Sequence, residues 1–157
     1  MPQIPLHYVD IRTFCYATED EKRVEEALRT FLPEEFEIDR VESEGHYGDR
    51  ILVLSARVEN ADDVRHVLSR LTDLESFDTL LDELDDRVTE NTELFLSLDK
   101  QAAFEETIRV GDGIMLRAKV EAYPAKKEQA LENAREVLER LRNRESDSDA
   151  AAERDDS

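Results

Sequence analysis

The spacing of hydrophobic residues predicts four helices that each bury one face. In four stretches these residues recur at the 3.6-residue period of a helix. The stretches lie at about residues 19–32, 64–71, 77–88 and 125–144. Thr18, with Glu21 three residues later, matches the capping-box pattern that begins a helix, and Pro33 ends the first helix.

Six other stretches predict β-strands, because β-branched and aromatic residues dominate them. They lie at about residues 6–16, 36–42, 51–58, 93–98, 107–110 and 114–120. Residues 51–54 are apolar on both faces, which predicts a central strand. A three-residue loop over residues 111–113 would set Val110 opposite Ile114 in a hairpin. A two-residue loop would instead pair Arg109 with Ile114, so the side-chain pattern favours the three-residue loop.

The order of these elements indicates an α+β domain with a largely antiparallel sheet and helices on one face. Along the chain, a strand, a helix, two strands, two helices, three strands and a final helix follow one another. We therefore predict a single domain over residues 1–144. Residues 145–157 show no hydrophobic periodicity and are rich in Asp and Glu, so we expect a disordered acidic tail.

Acidic residues outnumber basic ones by 40 to 21, which gives a net charge of −19. Such a surface repels itself in dilute buffer, and concentrated salt removes the repulsion because the Debye length falls to about 3 Å at 1 M. The composition therefore predicts a halophilic host. No apolar run is long enough to span a membrane and no signal sequence begins the chain, so we expect a cytoplasmic protein without membrane contact.

Sequence motifs that carry catalysis are absent. The chain has no Gly-rich phosphate loop, no CxxC pair, no HExxH and no Gly-x-Ser-x-Gly. We predict no catalytic residue, no cofactor and no metal site. The acidic run of residues 82–86 could hold a hard cation, but a solvated acidic face needs no ligand and is the simpler interpretation. Cys15 is the only cysteine, and its aromatic neighbours indicate a small buried side chain.

Basic residues lie on the outward faces of several predicted strands, and a nucleic-acid contact is one hypothesis for them. Arg12 lies between the aromatic residues of the first strand, and Arg109, Arg117 and Lys119 share one face of the predicted hairpin. Arginine binds phosphate, and aromatic rings stack on bases. The candidate RNA-binding residues lie on the outer face of the predicted sheet and in two nearby segments: Arg12, His46, Tyr47, Arg50, Lys100, Gln101, Arg109, Arg117 and Lys119. The simpler alternatives are the polar halves of amphipathic strands and a turn shaped by Gly45 and Gly48.

Three stretches of the chain resemble archaeal proteins described as RNA-binding, predicted exosome subunits. The stretches are VDIRTFCYATEDEKRVEEALRTFLP, EGHYGDRILVL and LSLDKQAAF. The resemblance covers most of residues 6–142, and it implies an RNA partner, exosome subunits as further partners and no catalytic residues. It also implies a fold like that of the ribosomal protein that binds 5S RNA. The acidic tail and the net charge depart from what the family leads us to expect.

We therefore predict a non-catalytic RNA-binding protein that serves the archaeal exosome or RNA processing. In concentrated salt, counterion release from phosphate contributes little, so binding must rely on stacking and on a few well-placed arginines. The alternative is a protein-interaction subunit of an RNA-processing assembly that does not contact RNA. That role would place Tyr8, Phe14 and Tyr16 in a protein interface.

Overall fold

Five antiparallel strands form one sheet in the part of the chain that the structure, a computed structural model, describes: residues 5–44, 48–74 and 76–155. The strands are β1 (Leu6–Tyr16), β2 (Asp39–Glu44), β3 (Arg50–Val58), β4 (Glu93–Asp99) and β5 (Gly113–Val120). Their order across the sheet is β2-β3-β1-β5-β4, so β1 lies in the middle. Side chains are described as far as Asn143.

The helices lie on one side of this sheet. They are α1 (Glu21–Arg29), α2 (Ala61–Leu71), α3 (Phe77–Asp82), α4 (Leu84–Arg87), α5 (Lys100–Phe104) and α6 (Lys127–Asp155). Their buried residues and the inward residues of the strands belong to one hydrophobic core. The predicted α+β class, with an antiparallel sheet and helices on one face, is confirmed.

Carboxylate and amide side chains cap the N-termini of three helices. The Asp20 carboxylate accepts a hydrogen bond from the Lys22 amide at 3.0 Å and caps α1, so the predicted cap at Thr18 is two residues too early. Asn60 caps α2 in the same way. Asp99 caps α5 and accepts from the Gln101 amide at 2.9 Å. Such side chains satisfy amides that the first turn of a helix leaves without a partner.

The predicted hairpin around residues 111–113 is wrong. Both edges of β5 are occupied, because Ile114 pairs with Thr13 of β1 and with Leu98 of β4. No edge of β5 remains for residues 107–110, which form only an isolated bridge between Val110 and Leu98. Pairing between distant strands has therefore overridden the local pattern, and Arg109 does not share a face with the side chains of β5.

Other boundaries differ by a few residues from those predicted. β2 begins at Asp39, three residues later than expected, and all its residues are exposed at the edge of the sheet. β3 lies between β2 and β1, which agrees with the predicted interior position of residues 51–54, although the middle strand is β1. The backbone of α6 continues through residues 145–155. Because the side chains after Asn143 are outside the described residues, the disordered acidic tail stays a prediction.

Gly113 starts β5 at a point where the chain passes very close to Lys100. Its φ is +114°, and a Cβ atom there would lie 2.5 Å from the Cβ of Lys100. Gly113 is also tied to the central strand, because its carbonyl accepts a hydrogen bond from the Thr13 hydroxyl at 2.7 Å. Only glycine combines this backbone conformation with so close a contact.

We expect Gly113→Ala to lower the free energy of unfolding by roughly 2–4 kcal/mol, because backbone strain and overpacking add together. Urea unfolding in concentrated salt would measure this loss. Gly48→Ala is the matched control, since Gly48 has a φ of +80° but no atom within 4 Å of the added Cβ. The control should lose only about 1 kcal/mol from the backbone conformation. Equal losses in the two variants would contradict the close contact.

Candidate nucleic-acid interface

The outer face of the sheet is the side turned away from the helices. Side chains alternate along a strand, so those of β1 that do not enter the core point to this side. They are Tyr8, Asp10, Arg12, Phe14 and Tyr16, and all are exposed or half-buried. Val9, Ile11 and Cys15 point the other way and are buried, as predicted.

A shallow groove of about 440 Å³ crosses the middle of the outer face. All five strands contribute side chains to it. We call it the arginine groove, and it is defined by Asp10, Arg12, Asp39, Arg57, Phe95, Met115 and Arg117. Three cations thus meet in one groove on a chain whose overall charge is strongly negative.

Strand pairing sets the charged residues of the groove in a row. Asp10 of β1 pairs with Arg57 of β3 on one side and with Arg117 of β5 on the other. Phe95 of β4 pairs with Arg117 and extends the row. Neighbouring strands lie about 4.8 Å apart, so two guanidinium groups reach the same carboxylate.

Asp10 holds both arginines by hydrogen bonds. Arg57 donates from Nε to Oδ1 at 2.8 Å and from Nη2 to Oδ2 at 2.9 Å, which is the bidentate geometry. Arg117 donates from Nη2 to Oδ2 at 2.8 Å, and its Nε lies 3.4 Å from a carboxylate oxygen of Glu93. Partial burial by itself would raise the pKa of Asp10, but the hydrogen bonds from Arg57 and Arg117 outweigh it and the pKa lies below its ordinary value.

Aromatic rings lie beneath the guanidinium groups of the groove. The central carbon of the Arg57 guanidinium lies 4.1 Å from the centroid of the Tyr8 ring, which is a close cation–π contact. Arg117 is farther from the same ring, at 6.0 Å. Arg12 lies 5.6 Å from the centroid of Phe14 and forms no ion pair with a carboxylate of the described residues. Arg12 is also exposed, so its guanidinium group is available to an anionic ligand.

Hydrophobic side chains lie at the β2 end of the outer face. The register places Val41 beside Val53, and Ile51 beside Tyr16. Val41 is 59% exposed and Tyr16 is 51% exposed, which is unusual for such large apolar side chains. We call the four residues Tyr16, Val41, Ile51 and Val53 the apolar corner. The outer face therefore has a charged half and an apolar half.

Lys100 is buried and serves the structure. Its Nζ donates to the carbonyl of Phe14 at 2.6 Å and to the Glu19 carboxylate at 2.8 Å. Burial alone would raise the pKa of Glu19, but the hydrogen bonds from Lys100 and from the Tyr16 amide lower it below its ordinary value. Lys100 thus ties the end of β1 to the start of α5, and its ammonium group is not free for RNA.

The other candidate residues lie at several different places. Arg109 lines a separate groove with Arg70 and Asp73, away from the outer face. Gln101 is exposed and lines a shallow depression beside Phe14 and Tyr16. These two residues do not join the arginine groove.

Arg50 and Lys119 lie at the margins of the sheet. Ile51 points outward, so its neighbour Arg50 points to the helix side of the sheet. There Arg50 forms an ion pair with Glu42 at 2.5 Å. Lys119 does lie on the outer face, half-buried, and its Nζ donates to the carbonyl of Asn91. His46 and Tyr47 lie outside the described residues, so their role stays a prediction.

Arg57 is the arginine of the groove that the sequence prediction did not include. The signal was available, because Ala56 and Val58 on either side of it are apolar and alternation turns Arg57 outward. Its place beside Asp10 follows only from the pairing of β3 with β1. The same sheet order brings Arg12 and Arg117 into one groove, and RNA binding by these residues stays a prediction.

Groups suited to metal binding do not gather in the described part of the chain. Within it, no three His, Cys, Asp or Glu side chains are placed to hold a metal ion. Cys15 is buried, as predicted, and burial raises the pKa of its thiol, which keeps it protonated and unreactive. Among the described residues, no helix is both long and apolar enough to cross a membrane.

Comparison with known proteins assigns the chain to a family. A family model described as RNA binding matches residues 8–120, which include all five strands apart from the first two residues of β1. The chain belongs to this RNA-binding family. A member with a related sequence is RNA-binding protein PAB1135 of Pyrococcus abyssi, which is 36% identical over 148 residues, covering 87% of this chain and 96% of the relative.

Solved structures of similar proteins share the fold of this RNA-binding family. Mth689 from Methanothermobacter thermautotrophicus, named a DUF54 protein, is 43% identical with a TM-score of 0.73, covering 85% of this chain and 98% of that one. AF2318 from Archaeoglobus fulgidus is 31% identical with a TM-score of 0.75, covering 84% and 99%. The family is archaeal in these relatives, and none of the names indicates a catalytic family.

We expect Asp10→Asn to lower the free energy of unfolding by about 1 kcal/mol at pH 7, because two arginines lose a charged acceptor. The pKa of Asp10 is depressed in the folded protein, so its contribution is complete above the unfolded pKa of about 3.9 and is lost as the pH falls through the folded pKa. The difference between variant and wild type should therefore shrink below about pH 4.

Urea unfolding over a pH series would test this dependence. Asp85→Asn is the control, since Asp85 is 73% exposed and its ion pair with Lys127 is long, at 3.7 Å. It should change stability by less than about 0.5 kcal/mol at any pH. A difference for Asp10→Asn that stayed constant down to pH 2 would show that its carboxylate charge does not hold the arginines.

Proposed function

We propose that the protein binds RNA without catalysing a reaction, and that the arginine groove contacts the RNA. The observation that carries this proposal is the meeting of Arg12, Arg57 and Arg117 on an exposed sheet face. Membership in the RNA-binding family supports it. Guanidinium groups recognise phosphate and also stack on bases, and sheet faces with exposed aromatic residues serve RNA recognition in other folds.

The charge of the chain decides how such a groove can work. At low ionic strength a net charge of −19 repels RNA over a long range. In about 1 M salt the Debye length is about 3 Å, so only groups in direct contact with the ligand still act. We propose a halophilic cytoplasm as the setting, where direct contacts to three arginines replace long-range attraction.

The residues that carry the proposal are a revised set. Arg12 is free to bind phosphate, while Asp10 holds Arg57 and Arg117 in place before the ligand arrives. Prior ordering of these long side chains reduces the entropy lost on binding. Lys119 contributes at the edge of the same face, and Tyr8 and Phe14 supply aromatic surface.

A role in RNA processing is the finer part of the proposal. The family resemblance supports an accessory factor of the archaeal exosome, with exosome subunits as protein partners. The apolar corner supports a protein contact on the same face, since exposed Val41 and Tyr16 would lose water on docking. A protein-interaction subunit without direct RNA contact is the alternative function that this corner favours.

We expect the triple variant Arg12→Gln, Arg57→Gln, Arg117→Gln to lose at least about tenfold in RNA affinity in about 1 M KCl, because several charge-assisted contacts disappear. Fluorescence anisotropy with a labelled RNA that contains single-stranded and hairpin segments would measure it. The control variant changes Arg23, Arg65 and Arg109 to glutamine. It carries the same loss of charge away from the groove and should bind as wild type.

Equal affinities for the triple variant and the control would contradict the arginine groove as the RNA site. Circular dichroism of both variants establishes that they remain folded. If wild-type protein did not bind RNA at any salt concentration, the RNA-binding proposal would fail and the protein-interaction alternative would replace it. Retained binding of an exosome subunit, lost on Val41→Glu, would then support that alternative.

A further inference from the structure

We infer that Arg57 is a stacking platform for an unpaired base, and that the arginine groove therefore takes single-stranded RNA in preference to duplex. This inference rests on the proposed function of the groove and names the class of RNA that the groove selects. It follows from how the Arg57 guanidinium is held and from which of its surfaces remain accessible.

Two neighbours fix the plane of the Arg57 guanidinium. The central carbon of the guanidinium lies over the Tyr8 ring, 4.1 Å from the ring centroid, so the ring covers one side of the group. The Asp10 carboxylate occupies the edge formed by Nε and Nη2. The side chain is still 48% exposed, and its Nη1 has no hydrogen-bond partner among the described residues. We infer that the side of the guanidinium opposite Tyr8 is open to a ligand.

The occupied edge limits what Arg57 can bind. The Nε–Nη2 edge is one of the forks with which arginine grips a phosphate bidentately, and Asp10 already fills it. The large surface left to a ligand is the flat face, which suits the ring of a base. Tyr8 and a bound base would then enclose the guanidinium between two aromatic systems.

The acidic residues of the groove also favour a base over a phosphate. Asp10 and Asp39 line the groove together with its three arginines. A carboxylate repels a phosphate, but it accepts hydrogen bonds from the exocyclic amino groups of bases. A nucleotide suits both the acidic and the basic residues of the groove. Its base would enter the groove and donate to the carboxylates, while its phosphate would contact Arg12.

Duplex RNA cannot present a base in this way. In an A-form helix the bases are stacked on each other, and proteins reach mainly phosphates and 2′-hydroxyl groups. Recognition of that kind needs many cations spread along two grooves, whereas this face offers three arginines and one lysine beside several acids. An unpaired base loses less stacking and no base pairing when it turns towards Arg57.

Arg57→Lys tests the platform, because lysine keeps the charge but lacks the flat guanidinium. We expect it to weaken binding of a labelled unstructured ten-nucleotide RNA about tenfold in about 1 M KCl, the loss of roughly one stacked base. Arg65→Lys is the matched control, since Arg65 lies on α2, outside the arginine groove, and pairs with Asp62 at 3.0 Å. It should weaken binding by less than about threefold.

A base analogue reports stacking independently of affinity. The same RNA carrying 2-aminopurine should change in fluorescence on binding wild type, because the base leaves the stack of its neighbours, and it should change much less on binding Arg57→Lys. A blunt-ended duplex of ten base pairs, which has no unpaired base, should bind wild type at least about tenfold more weakly than the single strand.

Outcomes that overturn the inference differ from those that overturn the proposed function. If Arg57→Lys binds the single strand as wild type does, or the duplex binds as tightly as the single strand, the stacking platform is wrong. The arginine groove would remain the RNA site as long as the triple glutamine variant still lost affinity. Absence of RNA binding by wild type would instead overturn the proposed function itself.

Discussion

The pairing of β1 with β3 and β5 is the constraint on which the rest of the structure depends. It places Asp10 between Arg57 and Arg117, and one carboxylate then orders two arginines that come from distant parts of the chain. The same pairing turns Val9 and Ile11 into the core beneath the helices. A single strand thus joins the hydrophobic core on one side to the charged groove on the other.

A buried ion pair between Lys100 and Glu19 holds the end of this strand. Lys100 is buried and holds the carbonyl of Phe14 and the carboxylate of Glu19, so the end of β1 cannot separate from α5 without leaving a charge unpaired in the interior. Cations on the helix surfaces, such as Arg65 and Arg140, pair with exposed carboxylates, and such pairs contribute little singly. Buried and exposed cations thus have different roles. Lys100 stabilises the fold, while Arg12, Arg57 and Arg117 form the groove on the outer face.

Sequence patterns predicted the parts of this structure that depend on local periodicity. β1, the buried faces of the helices and the outward position of Arg12 and Arg117 follow from spacing alone. The hairpin at residues 111–113 failed because both edges of β5 were already taken by β1 and β4, a fact that only the sheet order contains. For the same reason Lys100 looked like a surface cation, and Arg57 was overlooked. Residues are brought into one site by pairing between distant strands, and spacing along the chain does not encode that pairing.

We expect RNA to contact the arginine groove on the outer face and to leave the helix side untouched. Nuclear magnetic resonance of the arginine side-chain N–H groups during titration with single-stranded RNA in about 1 M KCl tests it most directly, because the salt removes long-range effects. The largest changes should occur at Arg12, Arg57 and Arg117, with Arg23 and Arg65 unchanged. Changes confined to the helix side, with the Arg57 signal unaffected at saturation, would contradict it.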